Sequence, residues 1–213
     1  MKRILCYGDS NTWGAVPGDS SRYQPEVRWT GVMQRELGEG YTVIEEGHGG
    51  RTTVFDDPVE EKLSGLVYFR PCLESQSPLD LIILMLGTND LKVRFGADPE
   101  TIAFGLHRYG DALKTAGMDG EIPQVLLASP VLIDPSYRKH PLFHAMFGED
   151  AHERSLKFAE AYRAFAEEAG WHFINGADYG RADSRDGIHM DVESHRRMGI
   201  AFAEKVRQIC ENA

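Results

Sequence analysis

No stretch constrains the fold of this chain more than the apolar run LIILML at residues 81–86. A run without polar residues suits a strand that is buried on both faces, as a central strand of a parallel sheet is. Apolar runs that suit buried strands lie at residues 3–7, 41–45, 79–86, 124–128 and 172–174. The sequence therefore predicts a sheet of about five strands.

Segments with helical spacing separate these runs, at residues 29–37, 99–116, 151–169 and 191–209. Pro99 suits the start of a helix, Gly117 and Gly170 suit helix ends, and Asp191 suits an N-cap. Alternation of strand and helix predicts a three-layer α/β/α fold around a flavodoxin-like parallel sheet. Because 213 residues suffice for one well-buried core, we expect a single domain over residues 1–213.

The charge balance bears on the partners of the chain. A formal net charge of −10, with no cluster of Lys and Arg, argues against nucleic acid and against an anionic membrane surface. We expect no stable membrane insertion, because no apolar stretch reaches spanning length, and no signal peptide, because a predicted strand begins at residue 3. The acidic charge fits a small, neutral or weakly polar ligand better. Three widely spaced cysteines fit reduced thiols in a cytoplasmic protein.

Three polar turns that contain glycine follow the first three predicted strands. Their sequences are GDSN at residues 8–11, GHGGRT at 47–52 and GTND at 87–90. Ligands of open parallel sheets bind beyond the carboxyl ends of the strands, which lie at one edge. The three turns are therefore expected to form one site.

A serine hydrolase is the chemistry that these turns favour. The hydroxyl of Ser10 becomes a nucleophile only when a base such as His189 removes its proton. Asp186 precedes that histidine by three residues, across a glycine, so one loop can bring both partners to Ser10. The backbone N–H of Ser10, a glycine N–H from residues 49–50 and the side-chain amide of Asn89 are candidate donors to an oxyanion.

Each of these residues also has a structural interpretation. Ser10 and Asn89 suit helix caps, and His189 suits a loop histidine that bonds only to its neighbours. We interpret Asp9 and Asp90 as structural carboxylates that accept hydrogen bonds from loop N–H groups.

Arg51, the histidines and two aromatic residues have separate expected roles. Arg51 is expected in a salt link with an acidic residue, and no histidine spacing matches a metal site, so we expect neither metal nor cofactor. Trp13 and Phe143 are expected at the mouth of the substrate pocket. The segments 15–28 and 130–150 are predicted to be irregular and to serve as a lid or an oligomer contact.

In order along the chain, the motifs GDSNT, a glycine of the second turn, GTND and DGIH at 186–189 resemble the four sequence blocks of the SGNH (GDSL-type) hydrolases. The resemblance spans residues 8–189 and implies the SGNH hydrolase fold. It implies Ser10 as nucleophile, Asp186 and His189 as the other triad members, and Gly50 and Asn89 as oxyanion donors.

Within that family, residues 4–10, 27–32, 43–47, 50–53 and 83–90 resemble the bacterial arylesterase/acyltransferase branch. This resemblance implies a homo-oligomeric carboxylic ester hydrolase that acts on short acyl esters such as aryl or carbohydrate acetates, with acyltransferase activity where an alcohol replaces water. Three alternatives stay open: a lysophospholipase or thioesterase of the same family, a flavodoxin-like binding module with an inert serine, and a metal-dependent hydrolase.

Overall fold

The computed structural model of the protein describes residues 1–62, 64–116 and 122–211. Five strands form one sheet in the order β2-β1-β3-β4-β5, and all neighbouring strands run parallel. The strands are Lys2–Gly8 (β1), Tyr41–Gly47 (β2), Leu81–Met85 (β3), Gln124–Ser129 (β4) and His172–Asn175 (β5). The predicted parallel sheet is confirmed, with each strand within two residues of its predicted bounds.

Strand β3 lies at the centre of the sheet, and all of its residues are buried. Its side chains alternate between two apolar cores because successive residues of a strand face opposite sides of the sheet. Ile82 and Leu84 join one core, and Leu81, Ile83 and Met85 join the other. The uninterrupted apolar run is thus explained by cover on both faces.

Helices cover the two faces of the sheet. They are Ser10–Trp13 (α1), Trp29–Leu37 (α2), Gly65–Gln76 (α3), Pro99–Gly105 (α4), His107–Thr115 (α5), Pro141–Phe147 (α6), Ala151–Ser155 (α7), Phe158–Ala169 (α8) and Val192–Glu211 (α9). Helices α2 and α9 pack together on one face, where the Trp29 and Phe202 rings lie 5.0 Å apart. Helices α3, α4, α5 and α8 contribute to the core on the other face, where the Phe69 and Tyr109 rings lie 4.8 Å apart.

Helix α2 has its predicted bounds, and Asp191 caps α9 by accepting a hydrogen bond from the backbone N–H of Ser194 at 2.6 Å. Two predicted helices are each broken in two. The segment 99–116 turns at Leu106, and 151–169 turns after Ser155, whose hydroxyl bonds to the carbonyl of His152 at 2.6 Å. That hydroxyl also accepts from the N–H of Ile133, so tertiary contacts at this turn replace helix continuation. Gly117 lies outside the described residues.

Three helices of the described residues lie outside the predicted helical segments, namely the four-residue α1 and the longer α3 and α6. Helix α3 begins at Gly65 and contains Pro71, and both residues weaken a helical pattern in the sequence. Helix α6 lies in the segment 130–150, so the prediction of an irregular segment is wrong there. None of the helices in the described ranges is long and apolar enough to cross a lipid bilayer.

The carboxyl ends of β1, β2 and β3 lie side by side, because Gly8 pairs with both Gly47 and Met85. Helix α1 packs so tightly against the end of β2 that a Cβ at Gly47 would lie 2.2 Å from the backbone nitrogen of Trp13. The polar turns that follow these strands therefore lie at one edge of the sheet.

Candidate active site

Ser10 is the first residue of α1, and only Asp9 separates it from the end of β1. Asp9 caps this short helix by accepting a hydrogen bond from the backbone N–H of Asn11 at 2.9 Å. The capping interpretation of Ser10 is therefore wrong, because Asp9 fills that role. The hydroxyl of Ser10 is left to face the C-terminal loop.

The side chains of Ser10, His189 and Asp186 form a hydrogen-bonded chain. The Oγ of Ser10 lies 3.1 Å from Nε2 of His189, and Nδ1 of the same ring lies 2.8 Å from Oδ2 of Asp186. An ionised carboxylate can only accept, so the proton of the neutral ring lies on Nδ1. Nε2 is then an acceptor that faces the serine hydroxyl, which is the arrangement needed to remove its proton.

Asp186 is 1% exposed, yet its oxygens accept several hydrogen bonds. Oδ1 accepts from the backbone N–H groups of Ile188 and His189 at 2.9 and 3.0 Å, and Oδ2 accepts from that of Gly18 at 2.8 Å. Burial raises the pKa of the Asp186 carboxyl, but the bonds from His189 and the backbone outweigh burial and hold the pKa below its ordinary value. The carboxylate is thus ionised at neutral pH.

The turn from Asp186 to His189 depends on Gly187, whose φ is 74°. A Cβ there would lie 2.4 Å from the backbone nitrogen of Tyr137 and 2.7 Å from the carbonyl oxygen of Asp134. Glycine is needed for both the left-handed conformation and the close approach. The predicted fold-back of the aspartate onto the histidine is what this turn produces.

Asn89 lies in a 3₁₀ turn, Thr88–Leu91, that follows β3. Its side-chain Nδ2 donates to the carbonyl of Arg51 at 3.1 Å, which ties the third polar turn to the second. That turn has no side-chain cap, so the capping interpretation of Asn89 is wrong. Gly50 has a φ of 78° in the second turn and lines the same cavity as Asn89.

Asp9 and Asp90 are buried carboxylates beneath the site. Asp90 accepts from a loop N–H as predicted, whereas Asp9 accepts from the N–H of Asn11 within helix α1. Asp90 accepts from the backbone N–H of Thr53 at 2.9 Å and from its hydroxyl. Burial raises the pKa of Asp90 to about 7, although the bonds from Thr53 lower it in part. Burial likewise raises the pKa of Asp9 to about 6.

Arg51 differs from its prediction. Its guanidinium donates to the carbonyls of Gly8, at 2.9 Å, and of Glu46, and it stacks on the ring of Tyr7 at 4.3 Å. Within the described residues its bonds go to carbonyl oxygens rather than into the expected salt link. Its role is to join the ends of β1 and β2.

A cavity of about 230 Å³ opens at Ser10. Of the predicted site residues it is lined by Ser10, Trp13, Gly50, Asn89, Phe143 and His189. Asp186 lies behind the imidazole, bonded to Nδ1. The structure thus brings together all seven residues that the sequence predicted for the triad, the oxyanion donors and the pocket mouth.

Sequence reasoning missed part of the cavity wall. Lys92 lines the cavity although it is only 1% exposed, and its ammonium pairs with Glu60 and lies 3.6 Å from Asp57. Arg94 pairs with the same two carboxylates. No spacing in the sequence relates residues 57–60 to residues 92–94, so no pattern pointed to this charged cluster.

Comparisons with known proteins give one family model and several solved structures that are similar to this chain. The family model described as GDSL-like lipase/acylhydrolase matches residues 6–197. An aryl esterase from M. smegmatis has a TM-score of 0.92 and 39% identity, with 98% of this chain and 99% of that chain covered. A carbohydrate acetylesterase from Sinorhizobium meliloti has a TM-score of 0.92 and 39% identity, with 98% of this chain and 100% of that chain covered. A putative arylesterase from Agrobacterium tumefaciens has a TM-score of 0.87 and 34% identity, with 98% of this chain and 100% of that chain covered. No curated protein matches the chain.

Proposed function

Because the chain belongs to the GDSL-like lipase/acylhydrolase family and is a carboxylic ester hydrolase, we propose that it hydrolyses short acyl esters, chiefly acetates of aryl alcohols or carbohydrates. Its similarity to an aryl esterase and to a carbohydrate acetylesterase supports this substrate class. The small cavity above the serine supports a short acyl group. The observation that carries the mechanism is the chain of hydrogen bonds from Ser10 through His189 to Asp186.

In the proposed first half-reaction, Nε2 of His189 takes the hydroxyl proton as Oγ of Ser10 attacks the ester carbonyl carbon. The carbonyl π electrons move onto oxygen, and the resulting imidazolium is stabilised by the Asp186 carboxylate. When the tetrahedral intermediate collapses, the C–O bond to the alcohol breaks. His189 returns its proton to the departing alkoxide, and the acyl group remains on Ser10.

The oxyanion of the intermediate is proposed to accept from the N–H groups of Ser10 and Gly50 and from the side chain of Asn89. The amide of Asn89 has two hydrogens, of which the carbonyl of Arg51 engages one and leaves one for the oxyanion. A donor of this kind contributes about 3 to 4 kcal/mol of transition-state stabilisation. These donors hold the developing charge without a metal ion.

In the second half-reaction, water attacks the acyl-serine while His189 again acts as the base, and the acid and free serine are released. An alcohol that takes the place of water gives a new ester, so the site is also proposed to catalyse acyl transfer. Trp13 and Phe143 supply apolar surface that favours an organic alcohol over water at this step. The ratio of ester to acid formed in mixtures of water and alcohol measures the two outcomes.

The proposal extends to the chain as a whole. We propose that residues 1–213 act as one domain, in the cytoplasm and as a homo-oligomer. Large apolar side chains that are exposed in the isolated chain support the last point, such as Phe104 at 73% and Leu142 at 60%. Light scattering on the purified protein measures the number of subunits.

The test of substrate class is a series of p-nitrophenyl esters of rising acyl length, assayed beside acetylated sugars. We expect kcat/KM to be greatest for acetate and to fall once the acyl chain exceeds about four carbons. Undiminished activity after chelation is also expected. A preference for long acyl chains would contradict the proposal and favour a lysophospholipase or thioesterase.

A further inference from the structure

Asn11 follows the proposed nucleophile and forms two hydrogen bonds with the loop that carries the proposed base. Its Nδ2 donates to the carbonyl of Ile188 at 3.2 Å, and its Oδ1 accepts from the N–H of Met190 at 3.0 Å. The two bonds flank His189 on either side along the chain. A side-chain amide has an NH₂ donor and a carbonyl acceptor, so it can pair with a backbone segment as the backbone of a neighbouring strand does.

The backbone around His189 is fully engaged by this arrangement. Oδ1 of Asp186 accepts from the N–H groups of Ile188 and His189, and the carbonyl of His189 accepts from the N–H of Asp183 at 2.8 Å. The remaining carbonyl of Ile188 and N–H of Met190 are the two groups that Asn11 satisfies. Asp186 therefore fixes the loop from within, and Asn11 fixes it from the helix that bears Ser10.

Asn11 is 3% exposed and is not among the residues that line the cavity, within the described part of the chain. It therefore contacts neither the acyl group nor the alcohol of a bound ester. Its effect on the reaction must pass through the position of His189. The 3.1 Å contact between Oγ of Ser10 and Nε2 of His189 joins two elements that are 179 residues apart in sequence.

We propose that Asn11 is a positioning residue for the reaction, which sets the approach of the His189 ring to Ser10 by clamping the backbone on both sides of that histidine. This inference rests on the proposed function. The same four-residue helix α1 thus presents the nucleophile and holds the base loop in register with it. Loss of the clamp lets the imidazole move relative to Oγ, and a misplacement of about 1 Å costs about 100-fold in rate.

The first test replaces Asn11 with leucine, which has similar volume and no hydrogen-bonding groups. We expect kcat on p-nitrophenyl acetate to fall about 10- to 100-fold while KM changes less than about 3-fold, because the clamp does not touch the ester. The matched control is Thr12→Val in the same helix. The Thr12 hydroxyl is buried and has no hydrogen-bond partner among the described residues, so kcat of this variant should stay near that of the wild type.

The second test is Asn11→Asp, which distinguishes a role through hydrogen bonds from a role through packing alone. An ionised carboxylate accepts from the N–H of Met190 but repels the carbonyl of Ile188. A protonated carboxyl has one donor and one acceptor, as the amide has, and restores both bonds. We therefore expect the ratio of variant to wild-type kcat/KM to rise as pH falls and the carboxyl gains its proton.

These outcomes separate the inference from the function on which it rests. A wild type that hydrolyses the ester, together with an Asn11→Leu variant within about 3-fold of its kcat, would overturn the clamp. The proposal would also be overturned if the ratio of Asn11→Asp to wild-type kcat/KM did not change with pH. This second test decides between the two outcomes if the leucine variant does not fold. A wild type without esterase activity would instead contradict the proposed function.

Discussion

The two halves of the proposed active site are held in different ways. The relay half, Ser10, His189 and Asp186, is bonded within itself, and two of its members lie three residues apart on one loop. The oxyanion half, Gly50 and Asn89, is held by contacts between separate strand ends, such as the 3.1 Å bond from Asn89 to the carbonyl of Arg51. A neighbouring bond joins Asp90 to Thr53 across the same two turns.

The difference predicts how each half fails. In the proposed mechanism nothing else in the cavity wall replaces a lost member of the relay, because proton transfer has one base and one nucleophile. The oxyanion half has several donors, so the loss of one leaves the others in place. Some residues support one half of the site without contacting the ester. Their substitution should alter the position of reacting groups, or the pH dependence of the protein, more than it alters binding of the ester.

The largest effect is expected in the relay half. Replacing Ser10 or His189 with alanine should lower kcat about 10⁴- to 10⁶-fold, and replacing both should cost little more than either alone, because the two act as a unit. Steady-state kinetics on p-nitrophenyl acetate measure this, with Ser21→Ala, an exposed serine outside the cavity wall, as the control. Losses that multiply in the double variant would show that the two residues act independently.

An intermediate effect is expected in the oxyanion half. Asn89→Ala should lower kcat about 100- to 1,000-fold with little change in KM, because the lost bond forms only in the transition state. The carbonyl of Arg51 also loses its partner, so thermal denaturation of the variant should accompany the kinetics. A variant that raises KM but keeps kcat would place Asn89 in ground-state binding instead.

The smallest effect on rate is expected at Asp90, which supports the oxyanion half from below. Burial raises its pKa to about 7, so between pH values of about 4 and 7 the folded protein holds a proton that the unfolded chain has released. This proton makes the free energy of unfolding fall as pH rises through that window. Asp90→Asn keeps an acceptor for Thr53 and removes the ionisation.

Urea unfolding of both proteins from pH 4 to pH 8 measures the consequence. The stability of Asp90→Asn relative to the wild type should increase as pH rises, while kcat changes only a few-fold. A stability difference that is constant with pH would show that Asp90 does not titrate in this range. Asp9, whose pKa burial raises to about 6, remains in both proteins and leaves a residual pH dependence in the variant.

The sequence predicted those features that short-range pattern controls. The apolar run at 81–86 indicated a central strand, and glycine and polar residues after three strands indicated one site, because parallel strands end at the same edge. The spacing of Asp186 and His189 indicated their contact. In each case the interaction is local, or its long-range part follows from sheet topology alone.

What the sequence did not predict depends on contacts between distant segments. The pairing of Lys92 with Glu60 and the clamp of Asn11 on residues 188–190 have no periodic pattern. The guanidinium of Arg51 binds carbonyl oxygens, which are present at every residue and therefore leave no signal in the sequence. Helix α3 was missed because its stability comes from packing, as at Phe69, and overrides the cost of Pro71.

The proposed mechanism requires that His189 activate Ser10 as a nucleophile. A fluorophosphonate probe reacts with an activated serine hydroxyl, and mass spectrometry of the digested protein identifies the residue that carries the adduct. We predict one adduct per chain in the wild type, on Ser10, with labelling abolished in Ser10→Ala and strongly slowed in His189→Ala. An unlabelled wild type, or equal labelling of Ser10→Ala, would contradict this mechanism.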